Sequence, residues 1–329
     1  MEILLNDSIP ITAWKDFLLR NKHSTPFQSY EFYCFVNSVR NLSAHAIAVI
    51  DSDLINALAV VTLQRECGLK GFFSRRAIIY GGPLINDNLA LDILLKNINR
   101  LTKRRAIYTE IRNFSDYKKY NNIFDYGGYK IIPYLNFRIS TSDYGRLIKS
   151  ISASRLRQIK KAKKQNVRWK VADSINEVKA FYNILVNLYE RKIRKPLFPL
   201  EFFENFFKSD LGKYLVVIYE DNIIGGIMCP ILENRSIYEF YICGLDSEYK
   251  EQYPSVMATW AAIEYANQNN IALFDFMGAG KPDEAYGVRE FKARFGGEQV
   301  EYGRFLKINN HILYNIGKIA LKCWKLFKS

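Results

Sequence analysis

Phe274-Asp275-Phe276-Met277-Gly278-Ala279-Gly280, continuing through Tyr286, Arg289 and Phe291-Lys292 to Phe295-Gly296-Gly297-Glu298, reads as a compact series of elements. An apolar strand ends in a carboxylate, a glycine turn follows, then a short helix carrying a lysine, then a second glycine turn into another strand. That order builds a pocket floor at the carboxyl end of a strand and sets one cation beside it.

The elements before this stretch follow an order that also occurs earlier in the chain. Helical patterns at 174–192 and 200–208 precede apolar runs at 214–219, 223–231 and 237–242, a helix over 254–267 and a strand at 272–276. In the first half, helical patterns at 13–20 and 30–39 precede runs at 44–50, 55–63 and 77–80, a helix over 89–103 and a strand at 106–111. Val49-Ile50-Asp51-Ser52-Asp53-Leu54-Ile55 parallels Ile218-Tyr219-Glu220-Asp221-Asn222-Ile223-Ile224, an acidic hairpin turn in both cases. Ala106-Ile107-Tyr108-Thr109-Glu110 parallels Ala272-Leu273-Phe274-Asp275, each bringing a carboxylate near the end of a strand that follows a long helix. The expected class is therefore α/β, with two domains of one plan whose mixed, largely antiparallel sheets are flanked by helices. This plan resembles the GNAT acyltransferase arrangement; a dinucleotide fold would alternate strand and helix throughout. The expected domains are 1–143 and 144–308, followed by a basic amphipathic helix over 309–329.

The chain has 329 residues, 49% hydrophobic and 15% aromatic, enough for two buried cores. No apolar run approaches the roughly 18 residues that cross a bilayer. Residues 1–10 hold two acids and no basic residue, which does not read as a secretory signal. Cys34, Cys67, Cys229, Cys243 and Cys323 are scattered without a C-x-x-C pair, the pattern of reduced thiols in a cytosolic protein. The net charge of +14 is local: residues 144–172 hold ten Lys/Arg and residues 302–329 six, with no acid in either segment. Such clusters attract nucleic acid or anionic head groups, or simply form a solvated helix face.

Several chemistries are excluded by spacing. Gly278-Ala279-Gly280-Lys281 is not a phosphate loop, because Asp275 stands where a glycine is required and Pro282 where Ser or Thr is required. The dinucleotide fingerprint fails at Asp283. His23, His45 and His311 stand apart, so no metal site and no Ser-His-Asp set is expected. Coenzyme A in its usual GNAT mode needs a glycine-rich loop at a helix N-terminus. The corresponding turn, 245–254, carries Asp246, Glu248 and Glu251 and no glycine; in the first half, Gly81-Gly82-Pro83 leads to Asn86-Asp87-Asn88 without the required spacing. Coenzyme A is therefore disfavoured and no cofactor is expected.

The chain resembles the FemAB/FemX family of peptidoglycan aminoacyltransferases, built from two GNAT-like domains. The resemblance rests on the 274–298 stretch, on Pro26-Phe27-Gln28-Ser29-Tyr30, on Tyr80-Gly81-Gly82-Pro83-Leu84, and on Arg155-Leu156-Arg157-Gln158-Ile159-Lys160-Lys161-Ala162. The chain lacks a long helical arm, so it is similar to the smaller, arm-free branch. It reads Phe35-Val36-Asn37 where bridge-forming members tend to hold a precursor phosphate with a lysine.

The resemblance implies transfer of an amino acid from aminoacyl-tRNA, as co-substrate, to an amine of a nucleotide- or lipid-linked peptidoglycan precursor. It implies a cytoplasmic location with a possible peripheral contact at the inner membrane face. Lys292 matches the family lysine near the reacting ester, with Phe291 beside it, and a cation there would favour a developing oxyanion; the alternative is a surface salt bridge to Glu290 or Asp283. Asp275 either caps the glycine turn or orients the amine, while Gly278 and Gly280 serve the turn. Tyr286 and Arg289 either contact the acceptor or pack, and Arg155, Arg157, Lys160, Lys161, Lys163 and Lys164 are expected to face tRNA phosphates. Two other functions fit the residues: an acyl-thioester-dependent N-acyltransferase acting on an amino sugar of a surface polysaccharide, and a non-catalytic membrane-associated scaffold. For the C-terminal helix, Ile312, Ile316, Ile319, Ala320, Cys323 and Phe327 share one face and Lys318, Lys322 and Lys325 the other. That face lies on a membrane or packs on a domain.

Overall fold

Both acidic hairpin turns form. Ser52 and Asp53 take φ of 48° and 67°, and Glu220 and Asp221 take 47° and 60°, the paired left-handed residues of a type I′ turn. The computed structural model describes residues 1–66, 68, 70–284 and 286–327, and it divides into two compact units. One comprises Met1–Pro133 with Tyr302–Ser329, the other Tyr134–Glu301.

In the first unit the sheet order is Glu2–Leu5, Leu42–Asp51, Leu54–Gln64, Arg76–Gly81, Tyr108–Asn113, Arg304–Ile308, Lys130–Ile132, with Leu84–Ile85 also paired to Leu54–Gln64. Every pairing is antiparallel except that of Arg76–Gly81 with Tyr108–Asn113, which helix Asn88–Thr102 connects. In the second unit the order is Glu298–Val300, Asn136–Ser140, Leu273–Asp275, Ser236–Tyr238, Asn222–Leu232, Gly212–Tyr219, Arg168–Val171, with Tyr241–Gly244 on Asn222–Leu232. Again one pair is parallel, Ser236–Tyr238 with Leu273–Asp275, connected across helix Pro254–Gln268. That helix is buried on nearly all sides, through Met257, Ala258, Trp260, Ala261, Ala262, Ile263 and Ala266, which explains why its sequence lacks a polar stripe.

Two expectations need correction. The boundaries at 143 and 308 are displaced because each flanking strand pairs elsewhere. Asn136–Ser140 hydrogen-bonds to Leu273–Asp275 and Glu298–Val300 in the second unit, and Arg304–Ile308 lies between Tyr108–Asn113 and Lys130–Ile132 in the first. The run at 237–242 is two strands, not one. Glu239 N–H donates to the Asp275 carbonyl (2.9 Å) and Phe240 N–H to the Met228 carbonyl (3.0 Å), so the chain changes partner between these residues.

The first unit has a matching break at Gly81-Gly82-Pro83, filled by neutral groups. Gln28 Nε2 donates to the Tyr80 and Gly82 carbonyls, and Tyr117 Oη to those of Gly81 and Pro83. Gly81 and Gly82 have φ of 77° and 79°, and a Cβ on either would fall 2.5 Å from Gln28 Nε2 or Tyr117 Oη, so only glycine fits. Glu110, expected at its strand's end like Asp275, instead sits mid-strand, bound to Arg112 (2.6 Å) and Arg304 (3.0 Å). Burial pushes its carboxyl up, but the two guanidinium groups more than offset this and hold it below the usual range. Among the described residues no helix is long and apolar enough to cross a membrane, and no group of His, Cys, Asp or Glu could hold a metal ion.

Candidate active site

The break in the second unit holds charge. Glu239, 7% exposed, sits at the fork where the strand changes partner. Its Oε1 accepts from Lys292 Nζ at 2.8 Å. Lys292, also 7% exposed, projects from the short helix Gly287–Ala293 and donates further to the carbonyls of Phe276 (2.8 Å) and Gly278 (2.9 Å). An ammonium has three N–H donors, and all three are engaged. The cation also lies 5.2 Å from the centre of the Phe276 ring. The partner of Lys292 is thus Glu239, not Glu290 or Asp283, and its bonds clamp the glycine turn.

Asp275 and Asn136 grip the turn from the other side. Asp275 Oδ1 accepts from Met277 N–H (2.7 Å) and Asn136 Nδ2 (2.8 Å), and Asn136 Oδ1 accepts from Gly278 N–H (2.7 Å). These are the bonds of a turn cap, and they hold Met277 and Gly278 at φ of 56° and 130°. Asp275 Oδ2 lies 3.8 Å from Arg138 Nε. Neither this oxygen nor Glu239 Oε2 accepts a hydrogen bond among the described residues. Gly280 has φ of 81°, and a Cβ there would come 2.9 Å from Tyr286 Cδ1; Tyr286 therefore lies against the turn, 44% exposed. The guanidinium of Arg289 donates to the carbonyls of Ala279 (3.1 Å), Lys281, Pro282 (3.2 Å) and Glu284 (3.1 Å), so it secures the loop after the turn.

Lys292, Asp275, Gly278, Gly280, Tyr286 and Arg289 thus converge on the turn, Phe291 turns instead to Arg155 and Phe295, and the basic helix Ala153–Lys164 divides. Arg155, expected on its outer face, is 3% exposed. It lies 4.5 Å over the rings of Phe291 and Phe295 and donates to the Phe291 carbonyl (3.0 Å) and Gln158 Oε1 (2.8 Å). Burial, with Arg294 nearby, brings its guanidinium down to about 10. Arg155 therefore belongs to the packing under the Lys292 helix and not to a polyanion surface. Lys161 and Lys163 are exposed but paired with Glu251 and Glu264. Arg157, Lys160 and Lys164 are exposed and have no ion-pair partner among the described residues.

Sequence reasoning passed over Glu239, although an acid flanked by Ile237-Tyr238 and Phe240-Tyr241-Ile242 must find a partner if that run is buried. Asn136 carried no comparable signal. Burial pushes the carboxyls of Glu239 and Asp275 upward, against Lys292 in the first and the Asn136 and Met277 hydrogen bonds in the second. A carboxyl raised on folding binds its proton more tightly in the native state. The stability this gives is present at low pH and declines as pH rises through the window above the ordinary value, roughly 4.3 for Glu. Relative to Glu239→Gln, the wild-type protein should therefore lose stability as pH rises through that window, by up to about 1.4 kcal/mol per pH unit. Urea unfolding of both proteins at a series of pH values measures this; parallel curves would show that Glu239 titrates normally.

At the start of helix Pro254–Gln268 the Asp246 carboxylate accepts from Ser255 N–H (3.1 Å) and from the Ser255 hydroxyl. In the first unit Asp87 likewise accepts from Leu89 and Ala90 N–H at the start of Asn88–Thr102 (3.0 and 3.1 Å). Both helix starts where a pyrophosphate could rest thus carry a carboxylate of the chain itself.

The structure of FemX superposes over 96% of this chain and 99% of its own, with a TM-score of 0.73 at 14% identity. The fold is that of FemX. L-PGS from Bacillus licheniformis shares this FemX-like fold with a TM-score of 0.58 at 12% identity, over 95% of this chain and 96% of that one. A tandem GNAT protein from the clavulanic acid biosynthesis pathway does so with a TM-score of 0.59 at 7% identity, over 94% and 99%. Residues 152–292 match the family model described as an acetyltransferase (GNAT) domain. This match supports an acyltransferase, and it lies within the second unit and contains Glu239, Asp275 and Lys292. No curated protein matches the sequence. The expected likeness to the FemAB/FemX family is met in the FemX-like fold, with two GNAT-like units.

Proposed function

We propose that this protein is an aminoacyltransferase that moves an amino acid from aminoacyl-tRNA to an amine of a peptidoglycan precursor. The amine nitrogen bonds to the ester carbonyl carbon, the carbon–oxygen bond to the ribose breaks, and the amine proton leaves with the ribose hydroxyl. The ester is already activated, so juxtaposition and a fixed electrostatic environment supply most of the catalysis. Lys292, its N–H groups spent on the turn and Glu239, contributes its field and the shape of the turn.

The observation that carries the choice of donor is Asp246 at the start of helix Pro254–Gln268, which disfavours a coenzyme A pyrophosphate there by repulsion. The exposed Arg157, Lys160 and Lys164 supply a surface for a polyanionic donor instead. Incubating the protein and a nucleotide-linked precursor with charged tRNA, and separately with acyl-coenzyme A, tests the reading. Transfer only from the thioester would overturn it.

The basic helix gives a second measurement. Replacing Arg157, Lys160 and Lys164 together by alanine should lower tRNA affinity and flatten the dependence of log K on log salt by roughly 0.7–0.9 for each phosphate no longer neutralised. Replacing Lys161 and Lys163, already paired with acids, should do less. An unchanged slope in the triple variant would leave this helix as a solvated face.

A further inference from the structure

The C-terminal helix His311–Phe327 meets the first unit through the side opposite its isoleucines. Tyr314 packs edge-on against Tyr108 at 5.6 Å, and a Cβ at Gly317 would lie 3.9 Å from the Phe73 carbonyl. Ile312, Ile316 and Ile319, at helical spacings of four and three, are left 73%, 44% and 63% exposed. Of the two alternatives for this face, packing on a domain is not met at Ile312, Ile316 and Ile319; the side chains of Ala320, Lys322, Cys323, Trp324, Lys325 and Phe327 lie outside the described residues. The neighbouring helix Lys70–Ser74 exposes Phe72 and Phe73 by 53% and 50%. Five large apolar side chains therefore stand in water on two adjoining helices.

The ground beside them is basic. Arg65, Arg75, Arg104 and Arg105 line an open depression of about 450 Å³. A second one, of about 380 Å³, shares Arg65 and Arg75 and reaches Phe72, with Glu66 as its one acid. Arg75 stacks 4.5 Å over the Phe72 ring, so the basic and apolar parts are joined. Arg105 contacts His45 at 3.3 Å, whose ring is held below its usual pKa by burial and by that guanidinium. None of the four arginines has a carboxylate partner among the described residues.

We propose that this face of the first unit docks on an anionic lipid bilayer, with the isoleucines and phenylalanines entering the interface and the arginines holding lipid phosphates. Apolar side chains flanked by cations are what an interfacial element needs, since burial and charge attraction then act together. A phosphate-bearing bilayer surface meets all four arginines and accepts the apolar side chains beside them as well. The inference does not depend on which acyl donor the second unit uses.

Co-sedimentation of the full-length protein with phosphatidylcholine vesicles, and with vesicles containing phosphatidylglycerol, tests it. Partitioning is expected onto the anionic vesicles, with salt sensitivity, and little onto the neutral ones. Arg65→Gln/Arg104→Gln should lower it about fivefold for each charge removed. Ile312→Ser/Ile316→Ser/Ile319→Ser and, separately, Phe72→Ser/Phe73→Ser should abolish the part of binding that survives high salt, without changing the circular dichroism of the protein. Equal sedimentation of the wild type and these variants would overturn the proposal. So would an arginine variant that loses tRNA affinity while binding vesicles normally, which would make the face a nucleic-acid surface.

Discussion

Lys292→Ala should destabilise the second unit by about 3–5 kcal/mol, the cost of leaving one partner of a buried ion pair uncompensated. The substitution strands Glu239 at the strand fork and removes the donor to the Phe276 and Gly278 carbonyls. Transfer should fall with it, on the order of a hundredfold, because the turn that floors the site loses its clamp and shifts the groups it positions. Denaturant unfolding and turnover, measured on the same preparation, check both effects. A second variant separates them: Lys292→Met with Glu239→Gln removes both charges and should regain much of the stability. If it also regains transfer, the lysine matters only for folding and its field plays no part in the chemistry. A Lys292→Ala protein as stable as the wild type would remove the clamp altogether.

Arg155→Ala should behave as a core substitution, although the residue begins a run of surface cations. It removes a guanidinium stacked between Phe291 and Phe295 and the donor to the Phe291 carbonyl. The expected loss is about 2–4 kcal/mol from the stacking and hydrogen bonds together. Arg157→Ala, two residues away and exposed, should leave stability within about 0.5 kcal/mol and act only on polyanion binding. Thermal melting beside tRNA binding distinguishes the pair. Equal stability in both variants would return Arg155 to the surface.

The contrast between these two arginines shows what could be read beforehand. Arg155, Ile159 and Ala162 form the buried stripe of helix Ala153–Lys164, spaced by four and three residues; the expectation that Arg155 faces tRNA weighs its charge and not this period. The hairpins were legible because their turn chemistry lies within two residues, and both acidic turns formed as expected. The pairing of Arg304–Ile308 with Tyr108–Asn113 was not legible. Arg304 and Glu110 are 194 positions apart, and nothing local in either strand names the other. The site fell between these cases. Its turn, its lysine and Asp275 lie in one stretch, while Glu239 and Asn136 reach it through sheet pairing, and only the first of them, a charge in an apolar run, left a trace in the sequence.

The late return of Arg304–Ile308 to the first sheet has a consequence for how the protein is made. Synthesis runs from N- to C-terminus, so residues 1–133 emerge before the second unit, yet a strand interior to their sheet emerges only after it. Until it arrives, Tyr108–Asn113 presents an unpaired edge and Lys130–Ile132 lacks the strand that holds it in the sheet. The second unit is continuous from Tyr134 to Glu301 and has all its strands in hand first. Of the two units, the one whose synthesis starts first is thus completed second, and its open edge needs protection while the other is translated.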